Sequence, residues 1–355
     1  MLQKKQEQKN ITLDEILKKR IFGQNHIIDS IVDTLNISFA GLSDQTKPLA
    51  SFLFTGPTGV GKTELTKELA KALNMNFVRF DMSEYSDKHS ARNLTGGDAG
   101  LVGYEDGGLL TNEVIDNPKS IVLFDEIEKA DKIVLNTLLQ VLDYGTLTDT
   151  KGNKADFTKT IIIMTSNLGA HESNGIGFGN TNINREKAAA NFLTPEFRNR
   201  IDKILEFNFL TLEDAYKIVQ KYIDELADTL KIKNIELSVS KQAQEFLTHS
   251  GFQNAMGARS VIRAINNDFK VQISKAILSS KVPLAKVEID YEQEKFLFSF
   301  EYKPALPKLQ DQEIAYFENV QDAQEYAKKY RGVIITRAND RVGFIAKKMK
   351  QNQLF

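Results

Sequence analysis

The sequence predicts an α/β protein in three parts. A three-layer domain around a parallel sheet comes first, then a smaller, mainly helical domain, then an α+β extension. Three observations predict this. Short apolar runs alternate with helix-length segments across residues 51–164. A glycine-rich turn joins the first of these runs to the helical segment behind it. Near Phe209 the texture changes to long helical periodicity. Short apolar strands alternating with helices imply a parallel sheet covered on both faces.

Each part follows in order. The opening MLQKKQEQKN is polar and reads as a solvated leader, and residues 11–19 carry a helical pattern, so 1–20 form a leader and first helix. Residues 51–55 read as a buried strand and 63–73 as the helix after the glycine turn. Further strands are expected at 76–80, 120–124 and 160–164, with a helix at 132–142. These elements assign 21–209 to the large α/β domain. Helices at 212–230, 241–248 and 258–278, closed by strands at 285–289 and 296–302, assign 210–302 to the small domain. Pro304 and Pro307 mark 303–310 as a linker. The tail then reads as a strand (313–317), a helix (320–330) and two strands (332–337, 341–346), so 303–355 form the α+β extension. No internal repeat or low-complexity tract interrupts the chain.

Composition narrows the function classes. At 355 residues the chain suits two or three compact units. Its 46 Lys+Arg against 47 Asp+Glu leave a formal charge of −1, which argues against nucleic acid as a partner, and no basic run argues for a membrane surface. Cysteine is absent, which excludes disulfides, thiol nucleophiles and cysteine-based zinc sites. No apolar run approaches the ~18 residues of a membrane span, and the N-terminal segment has no apolar signal core. A soluble, cytoplasmic protein is expected. His26, His89, His171 and His249 show no metal-ligand spacing and read as structural or surface residues.

The chemistry concentrates in a few short motifs. Gly56-Pro57-Thr58-Gly59-Val60-Gly61-Lys62-Thr63 fits G-x-x-x-x-G-K-[ST], with a strand before it and a helix after it. Glycines let backbone N–H groups converge on phosphate oxygens, Lys62 reaches the β- and γ-phosphates, and the Thr63 hydroxyl binds Mg²⁺. The helix N-terminus adds favourable dipole charge. Ile121-Val122-Leu123-Phe124-Asp125-Glu126 is an apolar strand ending in two acids. Asp125 is placed to hold Mg²⁺ through water and Glu126 to polarise the attacking water; alone these acids read equally well as a loop, and the phosphate loop on another strand favours catalysis. Thr165-Ser166-Asn167 follows another apolar strand, and Asn167 is either a water-orienting group or a turn residue. Arg198-Asn199-Arg200 and Gly257-Ala258-Arg259 supply arginines that serve phosphoryl transfer or merely face solvent.

Taken together, these residues resemble the Clp-type AAA+ unfoldases. Ile21-Phe22-Gly23-Gln24, the phosphate loop, Phe80-Asp81-Met82-Ser83-Glu84-Tyr85, Asp125-Glu126-Ile127-Glu128-Lys129-Ala130, Leu138-Leu139-Gln140-Val141, Met164-Thr165-Ser166-Asn167 and Thr194-Pro195-Glu196-Phe197-Arg198-Asn199-Arg200 occur in that family's order. The resemblance covers about residues 11–300 and is to the second ATPase module. Gly145-Thr146-Leu147-Thr148-Asp149 and Ala255-Met256-Gly257-Ala258-Arg259 look closest to the ClpA type.

The resemblance implies a P-loop AAA+ fold with a helical lid, and ATP with Mg²⁺ as cofactors. Lys62 and Thr63 would be Walker A residues, Asp125 and Glu126 Walker B, Asn167 sensor 1, Arg200 an arginine finger and Arg259 sensor 2. Ile21, Phe22 and Gly23 would line the adenine pocket. It further implies a homo-hexamer formed with ATP, unfolded or tagged protein substrates threaded through a pore, an adaptor, and a ClpP-type peptidase. The peptidase would dock on Ile176-Gly177-Phe178, in a glycine-rich loop that offers two apolar side chains. The pore loop falls at Gly100-Leu101-Val102-Gly103, where the family usually carries Gly-Tyr-Val-Gly. The family's N-terminal domain and first ATPase module are not found, so a fragment or truncated relative is expected, and the tail has no counterpart to carry over. Three other functions compete with a peptidase-coupled unfoldase: a peptidase-independent disaggregase, an ATP-binding ring scaffold without threading, and a nucleic-acid motor.

Overall fold

The computed structural model describes residues 12–96, 107–168, 193–253, 258–280, 282–303, 314–317, 320–329, 333–337 and 344–348. Its centre is a parallel sheet of five strands among the described residues: β1 (Ala50–Thr55), β2 (Asn76–Asp81), β3 (Ser120–Asp125), β6 (Ile161–Ser166) and β7 (Lys203–Glu206), in the spatial order β2-β3-β6-β1-β7. Every residue of β1, β3 and β6 is buried, which is why they read as unbroken apolar runs.

Alternate side chains leave opposite faces of a strand, and here they feed two separate cores. Leu53, Val122, Phe124, Ile162 and Met164 pack against the helices Lys88–Thr95, Leu109–Asp116 and Lys132–Tyr144. Phe52, Phe54, Ile121, Leu123, Ile161 and Ile163 pack against Leu13–Lys18, Asn25–Phe39 and Lys62–Ala72. These are the three layers that the alternation of strands and helices predicts. A small antiparallel pair, β4 (Thr146–Thr148) with β5 (Lys154–Asp156), lies outside the main sheet.

Beyond residue 210 the architecture changes as the periodicity predicts. Thr211 and Asp214 form a reciprocal capping box that starts the helix Leu212–Lys231. That helix, with Lys241–Gln253, Ala258–Ala264 and Val271–Ser279, encloses a core of Val219, Leu226, Leu247, Phe269 and Val287. Two details differ from the sequence reading. The segment expected as one helix over 258–278 contains a π-helical stretch, Ile265–Lys270. Its buried residues Val261, Ile265, Phe269 and Ile273 recur every fourth position. That spacing overshoots a 3.6-residue turn, and the wider turn keeps them on one face. The unit also holds a third strand, β8 (Glu236–Val239), parallel to β9 (Leu284–Glu292), which pairs antiparallel with β10 (Lys295–Tyr302).

The tail folds as β11 (Ile314–Phe317), a helix (Val320–Lys329), β12 (Val333–Arg337) and β13 (Phe344–Lys348). β13 lies between the other two strands and antiparallel to both. The helix buries Ala323 and Tyr326, and the Tyr326 ring sits 5.0 Å from that of Phe317. Among the described residues no helix is long and apolar enough to cross a membrane.

Candidate nucleotide-binding site

The strand order sets the site. Because β6 lies between β1 and β3, the C-terminal ends of three buried strands are neighbours. In open parallel sheets, ligands bind at these ends. Residues 56–61 leave β1 and enter the helix Lys62–Ala72. Two backbone positions require glycine. A Cβ at Gly56 would lie 2.8 Å from the Phe207 carbonyl oxygen, and Gly61, immediately before the helix, has a φ of 106°.

Lys62 is turned into the loop. Its Nζ donates to the carbonyl oxygens of Gly56 (2.5 Å) and Pro57 (2.8 Å) and to Asn167 Oδ1 (2.9 Å). Burial pulls its pKa down to about 8, against the opposing attraction of Glu128, Asp125 and Glu126. An ammonium so desolvated gains more from a polyphosphate than an exposed one does.

Asp125 closes β3 and is buried. Its Oδ1 accepts from the Thr165 hydroxyl at 2.5 Å, and its Oδ2 lies 3.5 Å from Thr63 Oγ1. Glu126 stands in the left-handed region at φ 57°. Its N–H donates to Thr165 Oγ1 at 3.0 Å, Oε1 accepts from Asn167 Nδ2 at 3.0 Å, and Oε2 accepts from Lys129 Nζ. A positive φ at a non-glycine residue is costly, and such strain clusters at functional sites. Glu128 Oε1 accepts the Asn167 backbone N–H at 3.0 Å. Asn167 thus touches Lys62 and both glutamates.

One pocket gathers these groups. Ile21, Phe22, Thr58, Gly59, Val60, Gly61, Lys62, Thr63, Asp125, Glu126, Asn167 and Arg259 all line it. The helical unit closes one side: Ile218, Lys221, Tyr222, Arg259 and Ile262 come from it, and the Ala258 N–H reaches the Gly59 carbonyl at 3.4 Å. Lys221 Nζ ties the two units together through Glu64 Oε1 (2.9 Å) and the Arg20 carbonyl (3.2 Å).

Four of the residues expected at the site do not line this pocket. Gly56 and Pro57 instead present their carbonyls to Lys62, which does line it. Gly23 is not in the lining; a Cβ there would lie 2.7 Å from the Asp214 carboxylate. Arg200 is outside the pocket of its own chain and pairs with Asp143 Oδ2 at 2.6 Å and Glu196 Oε1 at 3.2 Å. The expected pore loop, Gly100 to Gly103, and the expected docking loop, Ile176 to Phe178, lie outside the described residues.

Sequence reasoning missed Arg79, Glu128, Lys221 and Tyr222. Arg79 sits two residues before Asp81 on β2, so strand periodicity placed it on the same face as that acid. Glu128 stood inside the quoted Asp125–Ala130 motif. Lys221 and Tyr222 carry no local signal.

The donor set fits a nucleotide and a hard divalent cation. Backbone N–H groups at a helix N-terminus and a buried lysine suit phosphates. The Thr63 hydroxyl and the Asp125 carboxylate offer oxygen ligands of the kind Mg²⁺ takes, with water and phosphate completing its shell.

The family model described as AAA domain (Cdc48 subfamily) matches residues 47–204. The model described as the C-terminal, D2-small domain of ClpB protein matches residues 210–289. The ATP-dependent Clp protease ATP-binding subunit ClpC of Staphylococcus epidermidis is 41% identical over 304 residues, covering 81% of this chain and 37% of that protein. The protein of the same name from Staphylococcus aureus (strain USA300) is 40% identical over 307 residues, covering 82% of this chain and 38% of the relative. The chain therefore spans less than two-fifths of the length of these relatives, and neither is named as ClpA type.

Proposed function

Because the chain belongs to the Clp family of AAA+ ATPases, matching its C-terminal ATPase module, we propose that it hydrolyses ATP and uses the energy to unfold and thread protein chains. The observation that carries this reading is the convergence of Lys62, Asp125, Glu126 and Asn167 on one pocket that a second unit closes with Arg259. In this reading residues 21–209 form the ATPase domain, 210–302 the lid, and 303–355 an extension of its own.

Lys62 holds the β- and γ-phosphates, and Thr63 and Asp125 hold Mg²⁺, which when bound neutralises charge on the phosphates. Glu126 accepts a proton from the attacking water, whose position is set by the Asn167 amide. Arg259 reports the nucleotide's state to the lid. Arg200 lies outside its own pocket and serves a neighbour's, so turnover requires a homo-hexamer. Ile21 and Phe22 form the adenine side of the pocket. Substrates are unfolded or tagged proteins, delivered by an adaptor and gripped by Gly100-Leu101-Val102-Gly103. The site of action is the cytoplasm.

We place a ClpP-type peptidase downstream, in a ClpAP-like arrangement, docked through Ile176-Gly177-Phe178. Several weak loop contacts made together around a ring gain strength through effective concentration. The test is twofold. Sizing with a slowly hydrolysed ATP analogue should shift the chain to a hexamer whose ATPase activity rises with protein concentration and with unfolded protein. In that ring, Ile176→Ala with Phe178→Ala should leave ATPase activity and unfolding intact and abolish degradation by the peptidase. Degradation that survives the double substitution favours a peptidase-independent disaggregase. ATPase activity indifferent to unfolded protein favours a ring scaffold.

A further inference from the structure

Arg79 makes a contact at the site that the proposed chemistry does not use. It sits on β2, next to β3 and opposite Leu123. Its guanidinium grips a single oxygen of Asp125: Nε donates to Oδ2 at 3.0 Å and Nη2 lies 2.8 Å from the same atom. Oδ2 is also the oxygen that faces the Thr63 hydroxyl, while Oδ1 is committed to Thr165. The guanidinium and a cation shared by Thr63 and Asp125 therefore compete for one oxygen.

Arg79 already holds a second carboxylate as well. Asp81 Oδ2 is 3.2 Å from Nη2, and Asp81 is fixed because its Oδ1 accepts from the N–H (3.1 Å) and hydroxyl (2.6 Å) of Ser83. The Arg79 side chain is 45% exposed and Asp125 only 10%. A buried carboxylate without a positive partner is costly, whereas a half-exposed arginine that already holds Asp81 gives up Asp125 cheaply.

We propose that Arg79 is a positioning residue that stands in for the metal: it neutralises Asp125 when the site lacks Mg²⁺ and retires to Asp81 when the metal arrives with nucleotide. It would thereby set how strongly nucleotide binding depends on Mg²⁺. This rests on the nucleotide-site reading given above. Arg79 is not assigned any contact with the phosphates, so its effect should appear in the metal dependence rather than in affinity as such.

The experiment measures the dissociation constant of a fluorescent ADP analogue with excess Mg²⁺ and with EDTA, in the full chain, and takes the ratio of the EDTA value to the Mg²⁺ value. Arg79→Met removes the competitor and should raise that ratio about 3- to 10-fold, a range typical of one partly exposed charged hydrogen bond. Asp81→Asn keeps the acceptor for Ser83 but weakens the alternative berth, and should lower the ratio. Thermal melting of both variants without nucleotide checks folding. An equal loss of affinity in both buffers would make Arg79 a direct phosphate ligand and overturn the proposal. A fallen melting temperature with an unchanged ratio would make it purely structural and overturn it equally. A wild-type chain that binds the analogue in neither buffer would instead defeat the nucleotide-site reading itself.

Discussion

Lys62 Nζ donates to Asn167 Oδ1 across 2.9 Å, joining the first turn of the helix Lys62–Ala72 to the end of β6. That contact and two loop carbonyls hold an ammonium whose pKa burial has lowered to about 8. Between about pH 8 and the ordinary lysine value the unfolded chain carries a proton that the folded chain has lost. Stability without nucleotide therefore rises with pH through that window.

The first prediction follows from this sign. At pH 7 the charged Lys62 opposes folding, by on the order of 3 kcal/mol. Lys62→Met should raise the melting temperature of the nucleotide-free protein by a few degrees while abolishing tight ATP binding. Calorimetry and a labelled-nucleotide titration measure the two effects. A lower melting temperature would mean that the hydrogen bonds of Lys62 outweigh its desolvation.

Glu126 holds a strained φ and directs its carboxylate at Asn167 and Lys129. Glu126→Gln preserves the shape but removes the carboxylate that the proposed reaction uses as base. Nucleotide affinity should stay within a few-fold of wild type while steady-state turnover falls about 10²- to 10⁴-fold. Hydrolysis at the wild-type rate would remove Glu126 from the mechanism.

Arg200 is held by Asp143 at 2.6 Å, away from its own chain's pocket. Arg200→Ala should cut turnover about 10³-fold or more and change nucleotide affinity little, on the scale of arginines supplied in trans. Mixing gives a sharper result. Lys62→Ala subunits still carry Arg200 and can complete the intact pocket of an Arg200→Ala neighbour. Partial recovery from two inactive proteins is expected, and none at any ratio in verified mixed rings would defeat the trans role.

What was legible in the sequence has a physical pattern. The loop at 56–63 and the acids at 125 and 126 were readable because their chemistry needs particular residue types at fixed spacing along one segment. β1, β3 and β6 were readable because strands buried on both faces must be apolar throughout. Lys221 and Tyr222 were not readable, because the packing of a second unit brings them to the pocket; of Arg79 only the face it shares with Asp81 was, because strand register sets it beside Asp125. β8 was overlooked because Glu236-Leu237-Ser238-Val239 is only four residues long, although its alternation of polar and apolar residues is a strand signal. The helix Asn25–Phe39 is a different case. Ile27, Ile28, Ile31 and Leu35 already stood at helical spacing and were simply not put to use.

Gly23 gives the last prediction. Its φ is +74°, and a Cβ there would lie 2.7 Å from Asp214 Oδ2. That oxygen accepts from the Thr211 N–H at 2.9 Å and the Thr211 hydroxyl at 2.7 Å, which caps the helix Leu212–Lys231. Gly23→Ala therefore strains the backbone, by about 1 kcal/mol, and displaces a helix cap worth about 1 kcal/mol. The melting temperature should fall by several degrees. Nucleotide affinity should fall with it, because the same helix carries Ile218, Lys221 and Tyr222 to the pocket. A double-mutant cycle isolates the contact. Asp214→Ala costs the cap but frees the space beside Gly23, so adding Gly23→Ala in that background should cost less than it does in the wild type. Strictly additive losses would mean that the two residues do not press on each other, and that the glycine is needed for its φ alone.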